Sequence, residues 1–340
     1  MAGLGWGSTC ADAVRAFPEG AAALAACTTV ITGANSGIGR EAARQLARLG
    51  GVVVMACRSA QRAEAAREEI LRLEGDAVRA DRLVCLQLDL SDLDSVARFT
   101  NELAERAAAE QWPPLRCLVL NAGLLPGKPA VTQQGIELGA GTNHVGHFVL
   151  TQRLLPTLRA NRPARVVVVA SDSHYGPVVT RKVSDKAELR EKLFLPQRSS
   201  LSLRESMAVY GSSKMFNVMF ARELNRREAA NGVVSCALHP GSLIATDIGR
   251  NTNPVVRFLL RYAVGFFTKS IDQGTSTTVL CALAPPERLG GNYYCDCQEK
   301  ACSKLITDAA CATLWDLTEE IVAEVWDQSA TTGSSKPRGA

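Results

Sequence analysis

The sequence predicts an α/β fold: a single doubly wound domain built on a mainly parallel sheet of seven strands. Three observations predict it. Short apolar runs alternate with segments of helical period along the chain. Some runs are apolar at every position, as in Val166-Val167-Val168-Val169, which suits strands covered on both faces. The first run passes through Thr32-Gly33-Ala34-Asn35-Ser36-Gly37-Ile38-Gly39 into a helical segment, so a glycine turn joins the first strand to the first helix of the repeat.

Taken in order, the strands are expected at Thr28–Thr32, Val52–Ala56, Leu83–Leu88, Leu115–Leu120, Arg165–Ala170, Val233–Leu238 and Asn292–Cys295. Between the first five lie helical segments at Ile38–Leu49, Ala60–Leu73, Asp92–Ala109 and Thr142–Leu158, with Ser91 and Thr142 placed as N-caps. Ser173–Met207 is a charged insertion before the helix that carries Tyr210. The domain is expected to span 27–327. Residues 1–26 form an Ala/Gly-rich extension interrupted by Asp12, Arg15, Pro18 and Glu19, without the apolar core of a secretory signal. Residues 328–340 are small and polar and read as a disordered tail.

The 340 residues are 46% hydrophobic, enough for a substantial core, and carry a net charge of only +4. Lys and Arg are scattered, which argues against a nucleic-acid partner. The eleven cysteines mostly sit in apolar runs, at Cys27, Cys57, Cys85, Cys117, Cys236 and Cys281. That usage predicts reduced, buried thiols in an intracellular protein that is not secreted. Cys295-x-Cys297-x4-Cys302 lacks CxxC pairs and a nearby histidine, so no metal site is assigned. No apolar run reaches the roughly 18 residues of a spanning helix. A cytoplasmic protein, or one peripheral on an organelle membrane, is the expectation.

The glycine turn has the spacing G-x3-G-x-G. It meets three demands of a pyrophosphate site: a tight turn, close backbone approach and a helix N-terminus with free N–H groups. Gly33, Asn35, Ser36, Gly37, Ile38 and Gly39 are its candidate residues. The second strand ends Met55-Ala56-Cys57-Arg58. A neutral thiol stands where an acidic residue would accept from ribose hydroxyls, and a guanidinium follows that can pair with a 2′-phosphate. Arg58 is otherwise a solvated helix-start residue; the first reading selects NADP(H). Downstream, Tyr210 and Lys214 are spaced i, i+4, so one helix face presents a phenol beside an ammonium. A free phenol titrates near about 10 and a neighbouring cation lowers that value. Tyr210 then serves as general acid in reduction or general base in oxidation. Ser171 lies at the carboxyl end of the fifth strand, placed to donate to a carbonyl oxygen, with Ser173 a rival two residues on. His144, His147, His174 and His239 lack ligand spacing and read as packing or loop residues.

This set of motifs resembles the short-chain dehydrogenase/reductase family. The resemblance runs from about Cys27 to Val325. Its residues are the glycine loop, Ala56-Cys57-Arg58, Asp89-Leu90, Asn121-Ala122-Gly123, Asn143-His144-Val145-Gly146-His147-Phe148, Pro163 to Val169, Ser171, Tyr210-x3-Lys214, His239-Pro240-Gly241 and Phe267-Thr268-Lys269-Ser270. It is greatest to the retinol dehydrogenase branch and the catalytic domains of WW-domain oxidoreductases, without a WW module upstream or a hydrophobic anchor. The resemblance implies a Rossmann fold and an NADP(H)-dependent oxidoreductase. Asp89 and Leu90 would hold the adenine, Asn121 would fix the strand end beside the cofactor, and Pro240 and Gly241 would line the nicotinamide. Lys214 would bind the nicotinamide ribose, and Asn143, at a helix start, would hold a water in a proton relay. Thr246 matches the family's threonine only loosely, since Ala245 occupies the usual spacing.

The segment Pro254–Phe267 is apolar with Arg257 and Arg261 one turn apart. Three readings stand for 255–267: a lid over a lipophilic substrate, a helix on a membrane surface with its arginines at headgroup level, or a packing or homodimer helix. The functional expectation is hydride transfer to or from a lipophilic, retinoid-like alcohol or carbonyl. The alternatives are a steroid or xenobiotic carbonyl reductase, and an NADP(H)-binding sensor or interaction protein with little catalysis.

Overall fold

In the computed structural model, residues 3–176, 185–193, 200–241 and 269–327 are described. Thr246 and the 255–267 segment lie outside them, as does the 328–340 tail. The described chain builds one sheet in the order β3-β2-β1-β4-β5-β6-β7-β8. The strands are β1 (Thr28–Thr32), β2 (Val52–Cys57), β3 (Leu83–Gln87), β4 (Leu115–Leu120), β5 (Ala164–Val169), β6 (Val233–His239), β7 (Tyr293–Cys295) and β8 (Gln298–Lys300). The first seven pair in parallel and β8 runs antiparallel to β7. The expected count of seven is therefore corrected to eight. β8 has three exposed residues and no apolar pattern, so periodicity gave no sign of it. The turn into it places Asp296 and Cys297 at φ 55° and 59°.

Alternate residues of each strand enter opposite cores, the physical basis of the fully apolar runs. Val52, Val54 and Ala56 face one layer, Val53, Met55 and Cys57 the other. The first layer holds α5 (Leu93–Ala109), α7 (Gly146–Ala160), α9 (Leu203–Glu228) and α12 (Asp308–Val325). The second holds α3 (Gly37–Ala47), α4 (Ala60–Glu74) and α10 (Ile271–Leu283). α8 (Lys186–Leu193) and α11 (Pro286–Leu289) are short connecting helices. The indole of Trp315 on α12 stacks on Phe220 of α9 at 5.7 Å and meets Phe148 of α7 edge-on at 4.9 Å.

The described part of the N-terminal extension packs on the second layer. It forms α1 (Cys10–Ala16), closed by a Thr9/Asp12 capping box, and α2 (Pro18–Ala25), opened by its proline. Cys10 and Ala13 are fully buried in the second layer. A Cβ on Gly20 would lie 2.0 Å from the Leu283 carbonyl oxygen, so α2 crosses the end of α10 at a distance only glycine permits. All eleven cysteines are free thiols; Cys85, expected to be buried, is half-buried. Among the described residues no helix is long and apolar enough to cross a membrane.

Two caps move. Asp92, not Ser91, caps α5, accepting from the Asp94 N–H at 3.0 Å. Ser91 instead donates to Asp89. The helix expected to start at Thr142 starts earlier, with a short α6 (Leu138–Ala140) capped by the buried Glu137 carboxylate. A π-helical turn, Gly141–Val145, then joins α6 to α7. Thr142 and Asn143 therefore sit inside a continuous helix with one wide turn. Such turns concentrate at functional sites, and a 3.6-residue reading has no way to register one.

Candidate active site

Strand order reverses between β1 and β4, which opens a crevice at the carboxyl ends of the parallel strands. One cavity fills it. At one end it is lined by the glycine loop from Gly33 to Gly39, with Arg58, Asp89 and Leu90. At the other it reaches Tyr210, Lys214 and Pro240. Asn121 lines the middle. Ser171, Asn143 and Gly241 are not among its lining residues, although each adjoins one that is.

The loop's conformation depends on its glycines. Gly33 and Gly37 have φ of 68° and 54°, values that side chains resist. A Cβ on Gly39 would lie 2.3 Å from Asn121 Nδ2 and 2.4 Å from the Gly33 carbonyl oxygen. Ser36 caps α3 with its backbone alone and makes no side-chain cap bond, so the first-turn N–H groups have no capping side chain. Asn121 Nδ2 donates to the Thr32 carbonyl at 2.8 Å, locking the end of β4 to the loop. These features fit a dinucleotide pyrophosphate.

At the end of β2, Cys57 is 1% exposed. Its sulfur takes the Ala34 and Asn35 backbone N–H groups, and burial pushes the thiol up to about 12. The thiol thus supports the loop from beneath. Arg58 is exposed, and Ser59 and Arg62 join it in lining the cavity. Sequence reasoning missed Arg62. Its signal was the i, i+4 spacing from Arg58 across the N-terminus of α4, where Ser59 accepts the Arg62 N–H. Asp89 Oδ1 accepts from the Ser91 N–H at 2.9 Å, and no hydrogen bond to Oδ2 is found among the described residues.

At the other end of the cavity, Tyr210 and Lys214 share one face of α9, with Nζ 5.7 Å from the phenol ring centre. Lys214 is 3% exposed and donates to the Val169 carbonyl at 2.9 Å. Burial lowers its ammonium to about 8. Burial also pushes the Tyr210 phenol up to about 12, against a hydrogen bond from Ser171 that pulls it down. The expectation that the ammonium makes the phenol more acidic is therefore not met here. Desolvation exceeds the pull, and Ser171 supplies what pull there is. A phenol so placed keeps its proton at neutral pH. Ser171 Oγ accepts the Ser173 N–H at 3.2 Å, while the Ser173 hydroxyl is buried without a partner. Of the two serines, Ser171 is the one that bears on the phenol's titration. Asn143 is fully buried, and its amide is bound on both sides by the Leu124 backbone and by Ser213.

The short chain dehydrogenase family profile matches residues 27–182. The WW domain-containing oxidoreductase of Gallus gallus is 37% identical over 299 residues, covering 87% of this chain and 68% of its own length. Retinol dehydrogenase 12 of Mus musculus is 37% identical over 300 residues, covering 88% and 87%. Retinol dehydrogenase 14 of the same species is 35% identical over 306, covering 87% and 85%. A solved but uncharacterised protein from Mycobacterium paratuberculosis superposes with a TM-score of 0.64 at 29% identity, covering 87% of this chain and 93% of that one. The carbonyl reductase from chicken fatty liver shares the fold, with a TM-score of 0.57 at 20% identity, covering 81% and 98%. With the fold, the loop and these relatives in agreement, the chain belongs to the short-chain dehydrogenase/reductase family of oxidoreductases, in its retinol dehydrogenase-like branch.

Proposed function

We propose that the chain is an NADP(H)-dependent oxidoreductase that reduces a lipophilic carbonyl, of retinoid-like class, to its alcohol. One observation carries the reading: a single cavity runs from Arg58 and Arg62, through the glycine loop, to Tyr210 and Lys214. Two guanidiniums with Ser59, and no carboxylate at the end of β2, suit a 2′-phosphate. The α3 N-terminus would hold the pyrophosphate, Asp89 and Leu90 the adenine, and Lys214 with Pro240 and Gly241 the nicotinamide end. Bound there, the nicotinamide would exchange hydride with the substrate carbon.

The chain's own residues manage the proton. Ser171 donates a hydrogen bond to the substrate oxygen and steadies developing negative charge. Tyr210 gives its phenolic proton to that oxygen as general acid. The phenolate left behind is stabilised by the Ser171 hydroxyl. Asn143 serves from the π turn by holding the Leu124 backbone and Ser213 in register beside Lys214. The names of the two retinol dehydrogenases support the substrate class.

The test is turnover of retinoid, steroid and aliphatic carbonyls with NADPH and NADH in parallel. The expected result is NADPH-linked reduction with the highest kcat/KM on a long apolar aldehyde. A best substrate among steroids would move the chain to steroid reduction. NADPH binding with no turnover of any carbonyl would leave a cofactor-sensing protein instead.

A further inference from the structure

The geometry points to His147 as a positioning residue that fastens the Asn143 turn, and through it the Tyr210/Lys214 helix, to the cofactor loop. The inference rests on the reading of this site as a dehydrogenase site. His147 is 1% exposed and Thr32, at the end of β1, is fully buried. The two meet through His147 Nε2 and Thr32 Oγ1 at 2.8 Å. On the other side of the ring, His147 Nδ1 lies 3.1 Å from the Asn143 carbonyl oxygen.

The direction of each bond follows from counting donors. Thr32 Oγ1 accepts the backbone N–H groups of Asn121 and Ala122, both at 2.9 Å. A hydroxyl has two acceptor lone pairs and one proton, so its proton goes to His147 Nε2. Nε2 is then the bare nitrogen. The ring proton sits on Nδ1 and donates to the Asn143 carbonyl, an acceptor that can take it in only one sense. Burial drives this imidazole down to about 3, so it stays neutral at every working pH.

The tie continues beyond Asn143. The Asn143 amide donates to the Leu124 carbonyl at 3.0 Å and to Ser213 Oγ at 2.9 Å, and accepts the Leu124 N–H at 2.9 Å. Ser213 in turn donates to the Tyr210 carbonyl at 2.8 Å. A polarised chain thus runs from the Asn121-Ala122 backbone through Thr32, His147, the Asn143 unit and Ser213 to the helix of Tyr210 and Lys214. The wide turn at Gly141–Val145 breaks regular helical bonding, and a histidine four residues on points back along the helix to secure it. Packing alone would be served by phenylalanine; a neutral histidine with both nitrogens used serves a register.

Two substitutions and one spectrum test this. His147→Phe keeps an aromatic ring and loses both bonds. His147→Asn restores an N–H where Nδ1 stands and nothing at Nε2. In steady-state reduction with NADPH, His147→Phe should lower kcat about tenfold to a hundredfold, as small misplacements of reacting groups do. KM for NADPH should change less than about threefold, because Thr32 still holds Asn121 and Ala122. His147→Asn should recover only part of kcat, since its bond to the Asn143 carbonyl returns and its bond to Thr32 does not, even where its melting temperature is no higher than that of His147→Phe. A kcat for His147→Phe within about twofold of wild type would overturn the proposal. So would equal losses in both variants, or losses that track melting temperature. In parallel, 15N imidazole shifts of the unliganded wild type should show the Nδ1–H tautomer, unchanged from pH 6 to 9. An Nε2–H tautomer, or a titrating His147, refutes the tie whatever the substrate. The Nδ1–H tautomer in a protein that turns over no carbonyl upholds the tie and refutes the functional reading.

Discussion

Lys214 carries a charge that the fold would be more stable without, and replacing it with methionine measures how much. The ammonium is 3% exposed, and burial takes it from 10.5 to about 8. At about 1.4 kcal/mol per pH unit, the charged form costs about 3 kcal/mol more in the fold than in water below pH 8. Its hydrogen bond to Val169 returns about 1 kcal/mol, and that carbonyl keeps a second donor, Asn217 Nδ2 at 3.2 Å. Lys214→Met should therefore stabilise the unliganded protein by about 2 kcal/mol at pH 7, or roughly 2–4 °C in Tm for a chain of this length. The pH dependence follows from the lowered value. Between about 8 and 10.5 the unfolded chain holds more protons than the folded one, so wild-type stability contributed by this group rises with pH through that window. The gap between variant and wild type should be full below pH 8 and close toward pH 10.5. Thermal unfolding from pH 6 to 10 without cofactor reads both. In the same variant turnover should fall at least about a hundredfold, since the side chain proposed to hold the nicotinamide ribose is lost. A variant less stable than wild type at pH 7, or a gap that does not change with pH, would refute the argument that a charged lysine is stored here for chemistry.

Three further outcomes are expected. Tyr210→Phe should lose roughly 10²–10⁴-fold in kcat with NADPH affinity unchanged by fluorescence titration; retention of more than about a tenth of wild-type kcat would remove Tyr210 as the acid. Arg58→Ala and Arg62→Ala should each lower kcat/KM for NADPH about tenfold at fixed ionic strength and leave NADH within about twofold, while Cys57→Asp should shift preference toward NADH; equal losses for both cofactors in the arginine variants would mean that they support the fold rather than a phosphate. Gly39→Ala places a methyl 2.3 Å from Asn121 Nδ2 and should lower NADPH affinity at least about tenfold with a drop in Tm, measured by titration and thermal unfolding; wild-type affinity would show that the loop yields without consequence.

Chain-local patterns account for what was legible in the residues. Strands covered on both faces must be apolar throughout, so the Val52–Cys57 and Ala164–Val169 runs announce a parallel sheet from composition alone. A glycine turn needs its glycines at fixed offsets, and a proton-transfer pair on a helix needs its members one turn apart. The loop at Gly33–Gly39 and the Tyr210/Lys214 pair are therefore readable from spacing. The family membership follows from the same motifs taken in order.

Only the folded chain decided the rest, because it depends on neighbours distant in sequence. The π turn at Gly141–Val145 is one residue out of phase with a regular helix, and its carbonyls and side chains are held by Leu124, His147 and Ser213. β8 forms by pairing with the edge of β7 and has no periodicity of its own. α1 packs on α10 because Cys10 meets Asp272, 262 residues away. The titration of Tyr210 and Lys214 was set by burial, which their four-residue spacing does not encode. His147 bore no sequence mark of a tie between the glycine loop and the helix of Tyr210, since its partner Thr32 lies 115 residues earlier. Spacing along a chain specifies which groups a helix or loop presents; the polarity and tightness of what surrounds them belong to the packed structure.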